Sequence, residues 1–467
     1  MSHPSTRRCT VSQSDPAESS RELSRRGFLG LAAAGLSATA LSACTGPSTS
    51  TDNGGGDAAK LDFTGVKPAG EITFWSSNPG ASQEVTQQII DAFHASQSDI
   101  KVQLVTAGSN YEDIAQKFQA AQAGGKLPDL VVLSDVWWFR YYLQDSIIPL
   151  DTLFTALDWD TSDYRDQLLT DYKYGGSIWA VPWARSTPLF YWNKAHWQAA
   201  GLPDRAPKTW DEFAEWAPKL KSANAGTQNA FQLPALAGYA GWSFQNVLWG
   251  RGGSWSAKDS FDITCDKPEA VAALQFLADA VYKNKWSGVA GKDSTNDLSA
   301  GAVSATVGST GSLVGILKVA KFDVGAGFLP GGPAATSPVC PTGGAGVGIP
   351  KKIKPENQLA AATFIKFLTT PENTLKFAQA TGYMPVRKSA DPSSLIAKAP
   401  QAKVAIDQLA VTRNQDWARV FLPGADQEMA NACAAILTKN GDVQSELSNL
   451  KAKLEGIYSS QVKPHLR

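Results

Sequence analysis

The chain carries no excess charge of either sign: among 467 residues, Lys plus Arg and Asp plus Glu number 43 each. Without a basic field there is nothing to hold a nucleic acid or an anionic membrane surface, so neither is an expected partner. Histidine is scarce, with four residues in all, His3, His94, His196 and His465, and none stands in an H-E-x-x-H pattern. There is no C-x-x-C pair, no G-x-S-x-G elbow and no phosphate-binding P-loop, and GGAGVG (343–348) has the wrong glycine spacing for a dinucleotide site. These absences leave no nucleophile with its base, no metal cluster and no cofactor. A secreted phosphodiesterase working through carboxylates alone stays as the alternative of a different class, and a non-enzyme is expected.

Cysteine says little more. Cys9 and Cys44 fall near the amino terminus, and Cys265, Cys340 and Cys433 remain, enough for one disulfide whose pairing the sequence does not choose.

What the chain does have is length and tryptophan. At 467 residues it exceeds what one hydrophobic core fills, so two lobes or domains are expected. There are fifteen Trp, eleven of them clustered in 137–138, 183–216 and 242–286. Most such rings pack in cores, and their amphipathic faces also suit stacking on a ligand.

The amino terminus, SRRGFLGLAAAGLSATALSAC, sets Arg25 and Arg26 just before Phe28 and Leu29, then a short apolar run ending in Leu41-Ser42-Ala43-Cys44. This is the layout of an export signal, too short to span a bilayer comfortably. The paired arginines resemble twin-arginine signals, and L-S-A-C resembles a lipobox whose Cys44 would be acylated. Residues 1–43 are thus read as a lipoprotein signal peptide and 44–69 as a lipid-anchored linker, its part 45–60 lacking large apolar side chains that could order it.

Beyond it, EITFWSS (71–77), IKVQLVTAG (100–108) and DLVVLSD (129–135) alternate with two amphipathic stretches. Ser82 is placed to cap the first of these. Strand, helix, strand, helix, strand predicts an α/β sheet, mostly parallel. Asp135 then stands at the carboxyl end of the third strand, the edge where open α/β sheets take ligands. In SDVWWFRYYLQD (134–145), Trp138, Tyr141 and Tyr142 share one helical face, so the rings read mainly as packing and Asp135 as the site candidate. PWARSTP (182–188) is a Pro-broken crossover before the strand LFYWN. Thr209 and Glu212 have capping-box spacing. A strand, a Ser/Thr/Gly turn and a helix starting near Ser309 or Ser312 fill 302–320, where backbone N–H groups and a hydroxyl can meet an anion. Two helices follow, interrupted at Pro371.

With FWSSNPG, PWARSTPLFYWNK, GGAGVGIPK, GYMPVRKS and ARVFLPG in this order, the chain resembles the extracellular solute-binding proteins of ABC importers (family 1), within them the lineage taking glycerol phosphate and glycerophosphodiesters. The resemblance runs from about residue 70 to about 455. It implies a two-lobed Venus-flytrap fold, each lobe a mostly parallel sheet flanked by helices. Lobe 1 would take 70–186 and 345–385, and lobe 2 would take 187–344 and the helices of 386–467. Crossings are implied near Arg185–Pro188, Gly344–Gly346 and Tyr383–Arg387.

The same resemblance implies the site. Tyr111 and Asp135 would come from the first lobe, with Asp135 accepting from glycerol hydroxyls. Ser186 and Ser309 would give hydroxyls to phosphate, Gly344 a backbone N–H, Tyr383 its phenol and Arg419 a charge-assisted pair. Trp242 would stack on the glycerol or lie against a choline. Tyr239 stands three before Trp242, where glycerophosphocholine binders have an aliphatic residue. A ring there either crowds the choline, favouring glycerol-3-phosphate, or adds a face to hold it. Tyr111, Ser309 and Asp135 also have plain roles open to them, in packing or helix capping. The implied function is capture of a small solute, glycerophosphocholine first, by lobe closure and delivery to ABC permease subunits, with a monomer expected. A glycerol-3-phosphate or oligosaccharide binder of the same fold is the near alternative.

Overall fold

In the computed structural model of the chain, residues 61–76 and 81–466 are described. The signal peptide, Cys44 and 44–60 of the linker lie outside the described residues. The end of the expected linker is packed: Phe63 is buried, and the Ala69 N–H donates to Glu356 O at 2.9 Å.

Ten strands form two five-stranded sheets. The first has the order Lys101–Thr106, Glu71–Ser76, Leu130–Ser134, Gly343–Gly348, Val181–Ser186. Its pairs are parallel except where Gly343–Gly348 runs against both neighbours. The second has the order Val324–Gly327, Pro188–Asn193, Val303–Ser309, Asn229–Leu233, Ser287–Val289. Here Pro188–Asn193 is the reversed strand. The expectation of mostly parallel sheets therefore holds with one reversed strand in each, and each reversed strand is a segment that has just crossed from the other sheet's part of the chain.

The crossing at PWARSTP is sharp. Val181–Ser186 ends one sheet, Pro188–Asn193 begins a strand of the other, and only Thr187 lies between. Pro188, with no N–H to give a ladder, takes the first position of the second strand, a place where proline is tolerated. Arg185 is wholly buried beside the crossing, paired with the Asp171 carboxylate, while its Nη1 donates to Tyr172 Oη at 3.0 Å. Thr342 Oγ1 donates to the same carboxylate at 2.5 Å, and Met384 N donates to Arg185 O at 2.9 Å. Three distant stretches of chain are thereby tied at one buried ion pair.

Helix starts follow side-chain chemistry. Asn110 accepts from Asp113 N to open Tyr111–Gly124, which Gly125 closes at φ +92°. Thr209 caps Trp210–Ala223, but the Glu212 carboxylate turns to Arg205 and Lys208 N instead of completing the box. Ser82 sits inside the first turn of Ala81–Ser96, not at its cap. Pro355–Leu368 and Pro371–Thr381 are separate helices, as the proline placement predicts. Cys265, Cys340 and Cys433 are all buried thiols.

Candidate functional site

The aromatic run after Asp135 has a task the sequence does not reveal. Trp138 and Phe139 are fully buried, and with Tyr174 they receive Phe421, whose ring lies 4.4 Å from Phe139 and at 90° to Trp138. Phe421 follows the short helix Trp417–Val420 that carries Arg419. The other end of that helix is fixed by the buried Asp416, which accepts from Trp255 N at 2.8 Å and from Trp249 Nε1 at 3.1 Å. Burial pushes the Asp416 carboxyl up to about 6, against the opposing Arg413 charge. Anchored at both ends, the helix sets Arg419 into a cavity of about 570 Å³.

All nine residues expected at the site line this one cavity: Tyr111, Asp135, Ser186, Tyr239, Trp242, Ser309, Gly344, Tyr383 and Arg419. Arg419 Nη1 donates to Asp135 Oδ2 at 3.1 Å and its Nε to Asp426 Oδ1 at 2.8 Å. Gln415 Nε2 donates to the same Asp135 oxygen at 2.6 Å, and Gln415 Oε1 accepts from Arg419. Burial disfavours the guanidinium charge, and Asp426 and Asp135 outweigh it, so the net direction is up. Asp135 caps no helix: the one that follows begins after Trp137, with no side-chain cap. Asp135 Oδ1 and Arg419 Nη2 make no hydrogen bond among the described residues.

Glycines shape the wall. Gly344, at φ +101°, stands at a register shift where a Cβ would lie 2.1 Å from Ala184 O. Its carbonyl accepts from Asp135 N at 3.0 Å, which fixes that carboxylate at the strand end. A Cβ on Gly343 would lie 2.5 Å from the Trp242 ring, whose Nε1 donates to Thr342 O at 2.9 Å. A Cβ on Gly311 would lie 2.8 Å from the Tyr383 ring, whose hydroxyl is 3.3 Å from that of Tyr111. The Tyr239 and Trp242 rings meet edge to face at 5.6 Å. Burial pushes the Tyr239 and Tyr383 phenols up, so both stay neutral donors. Ser309 Oγ does act as a cap, accepting from Gly311 N at 3.1 Å.

Sequence reasoning missed several lining residues. Trp137, read as packing with its neighbours, faces the cavity, as do Glu112 and Asp426. Ser134, also lining it, is buried with an Oγ that has no partner among the described residues. Its place beside Asp135 at a strand end was the signal available. No group of three or more metal-ligating side chains occurs among the described residues.

Residues 88–404 match the family of bacterial extracellular solute-binding proteins. The chain belongs to that family. This solute-binding protein is 30% identical over 333 residues to the sn-glycerol-3-phosphate-binding periplasmic protein UgpB of Escherichia coli, covering 68% of this chain and 75% of that one. Its structure is similar to that of UgpB from Mycobacterium tuberculosis in complex with glycerophosphocholine, with a TM-score of 0.80 and 43% identity over 84% of this chain and 100% of the other. Maltose-bound MalE3 of T. maritima gives a TM-score of 0.72 and 26% identity over 83% of this chain and 99% of that one. The fold is thus the two-lobed periplasmic-binding type, and the protein is an ABC-importer solute-binding protein and not an enzyme. Among the described residues no helix is long and apolar enough to cross a membrane.

Proposed function

We propose that this solute-binding protein captures a glycerophosphodiester, glycerophosphocholine first, between two lobes and delivers it to the permease of an ABC importer. What carries the reading is the meeting, in one cavity, of Arg419 with an open Nη2, the Ser186 and Ser309 hydroxyls, the Tyr111 and Tyr383 phenols, and the Tyr239–Trp242 ring pair. A phosphodiester taken from water needs several donors and a cation, which the first set supplies. A quaternary ammonium is attracted to aromatic faces by roughly 0.5–2 kcal/mol, which the ring pair supplies. Asp135 Oδ1 would accept from a glycerol hydroxyl.

The lobes would be 70–186 with 345–385, and 187–344 with 386–467, closing on ligand by its differential affinity for the closed state. Residues 1–43 would be a twin-arginine signal peptide and Cys44 the lipid attachment, holding a monomer at the outer face of the membrane.

Titration calorimetry of the purified protein against glycerophosphocholine, glycerol-3-phosphate and maltose tests the reading. Binding of glycerophosphocholine that is lost in Arg419→Ala supports it. Binding of maltose alone would keep the fold and overturn the anion site. Metabolic labelling with palmitate, lost in Cys44→Ala, tests the anchor.

A further inference from the structure

Charge in the cavity is unevenly set for an anion site. Three carboxylates, those of Glu112, Asp135 and Asp426, line it against one guanidinium, Arg419. That guanidinium is held from two sides, by Asp135 at the end of strand Leu130–Ser134 and by Asp426 in the first turn of helix Ala425–Lys439. Both carboxylates are largely shielded, with 7% and 17% of their side-chain surface exposed, so water screens the pairing little. The second pairing has a seat built for it: a Cβ on Gly241 would lie 2.4 Å from Asp426 Oδ1 and 3.4 Å from Arg419 Nε. With Nε and Nη1 engaged, Nη2 is the nitrogen left to a ligand.

We propose that Asp426 is a specificity-determining residue: with Asp135 it holds Arg419 between two negative charges, so that the cavity accepts a singly charged phosphodiester and turns away the dianion of a phosphomonoester. The inference rests on the glycerophosphodiester reading above and adds to it the residue that sets the ligand's charge. Each negative charge brought by the ligand meets the same surplus of carboxylate, so a dianion is penalised twice where a diester is penalised once. A cationic group on the ligand offsets the penalty, and Glu112 and Asp426 are the carboxylates available to it.

The test is calorimetry on the full chain with glycerophosphocholine and glycerol-3-phosphate, from pH 5 to 8, repeated in Asp426→Asn. Asparagine keeps an oxygen to accept from Arg419 Nε and removes the charge. At pH 8 the monoester is expected to bind about tenfold or more weakly than the diester, since one unpaired charge at contact distance is worth that much near a protein surface. The gap should narrow as pH falls through about 6, where the phosphomonoester dianion takes up a proton and becomes a monoanion. Glu112, Asp135, Tyr111, Tyr239 and Tyr383 line the same cavity as Arg419, and the buried pair Asp171–Arg185 lies near enough to Asp135 to interact with its charge. These groups act on both ligands alike, so the ratio of affinities is the readout. In Asp426→Asn the gap at pH 8 should shrink by about tenfold. Both phosphates binding with a gap that moves neither with pH nor in the variant would overturn the proposal alone. Neither phosphate binding would overturn the proposed function and this inference with it. If the variant does not fold, the pH series on the unaltered chain decides.

Discussion

Arg419 reaches Asp135 with Nη1 at 3.1 Å from Oδ2, joining residues 284 positions apart. Asp135 follows a strand of the first sheet, and Arg419 rides on a segment tied through Trp249 and Gln245 to the helix Ala240–Gly250, which follows the strand Asn229–Leu233 of the second. Truncating one member of such a buried charge pair leaves the other uncompensated. Arg419→Ala is therefore expected to weaken glycerophosphocholine binding by about 2–5 kcal/mol and to lower the melting temperature of the unliganded protein as well. Calorimetry and thermal unfolding check both, and a variant with full affinity would contradict the placement of the phosphate.

Phe421 touches Trp138 and Phe139 and does not line the cavity. Phe421→Ala removes the seat that fixes one end of the Arg419 helix. A stability loss of about 3–5 kcal/mol is expected, with a fall in affinity although no ligand contact is altered. Denaturant unfolding and calorimetry measure the two effects. Unchanged affinity in the folded variant would show that Arg419 is positioned without the aromatic run.

Gly311 and Gly343 make room for the rings of Tyr383 and Trp242. Gly311→Ala and Gly343→Ala should each displace one ring, lowering affinity while leaving the far-ultraviolet circular dichroism spectrum intact. The second should also alter tryptophan emission. Full affinity in both would mean that neither ring touches ligand.

Asp416 is pushed up to about 6 by burial, so the folded chain holds this proton more tightly than the unfolded chain, whose aspartates titrate near 3.9. The stabilisation from its protonation is present below about pH 4 and is lost as pH rises through about 6, a change of roughly 3 kcal/mol from this group. Unfolding free energies between pH 4 and 7.5 should show that slope in the unaltered chain and lose it in Asp416→Asn. The same slope in both would assign the dependence to another group.

Much of the fold was legible because it follows from local pattern. The continuous apolar run LVVLS became a buried central strand, and the proline pair in PWARSTP marked the passage between sheets. The nine residues that the family resemblance implied all line the cavity, although local pattern alone nominated only Asp135, at a strand end, and the hydroxyl turn at Ser309. What stayed hidden was set by approach between distant segments. Nothing near Phe421 tells that Trp138 awaits it, and nothing near Asp426 tells that Gly241 leaves room for its carboxylate. The reversed strand in each sheet is of the same kind, since its neighbours lie over 100 residues away in the chain at the closer crossing, Ser309 beside Pro188.

A crystal structure of the protein with glycerophosphocholine would test the proposed function most directly. The phosphate is expected against Arg419 Nη2 and the Ser186 hydroxyl, the glycerol within reach of Asp135, and the quaternary ammonium against the Tyr239 and Trp242 rings. A phosphate placed away from Arg419, or a cavity left empty at saturating ligand, would contradict it.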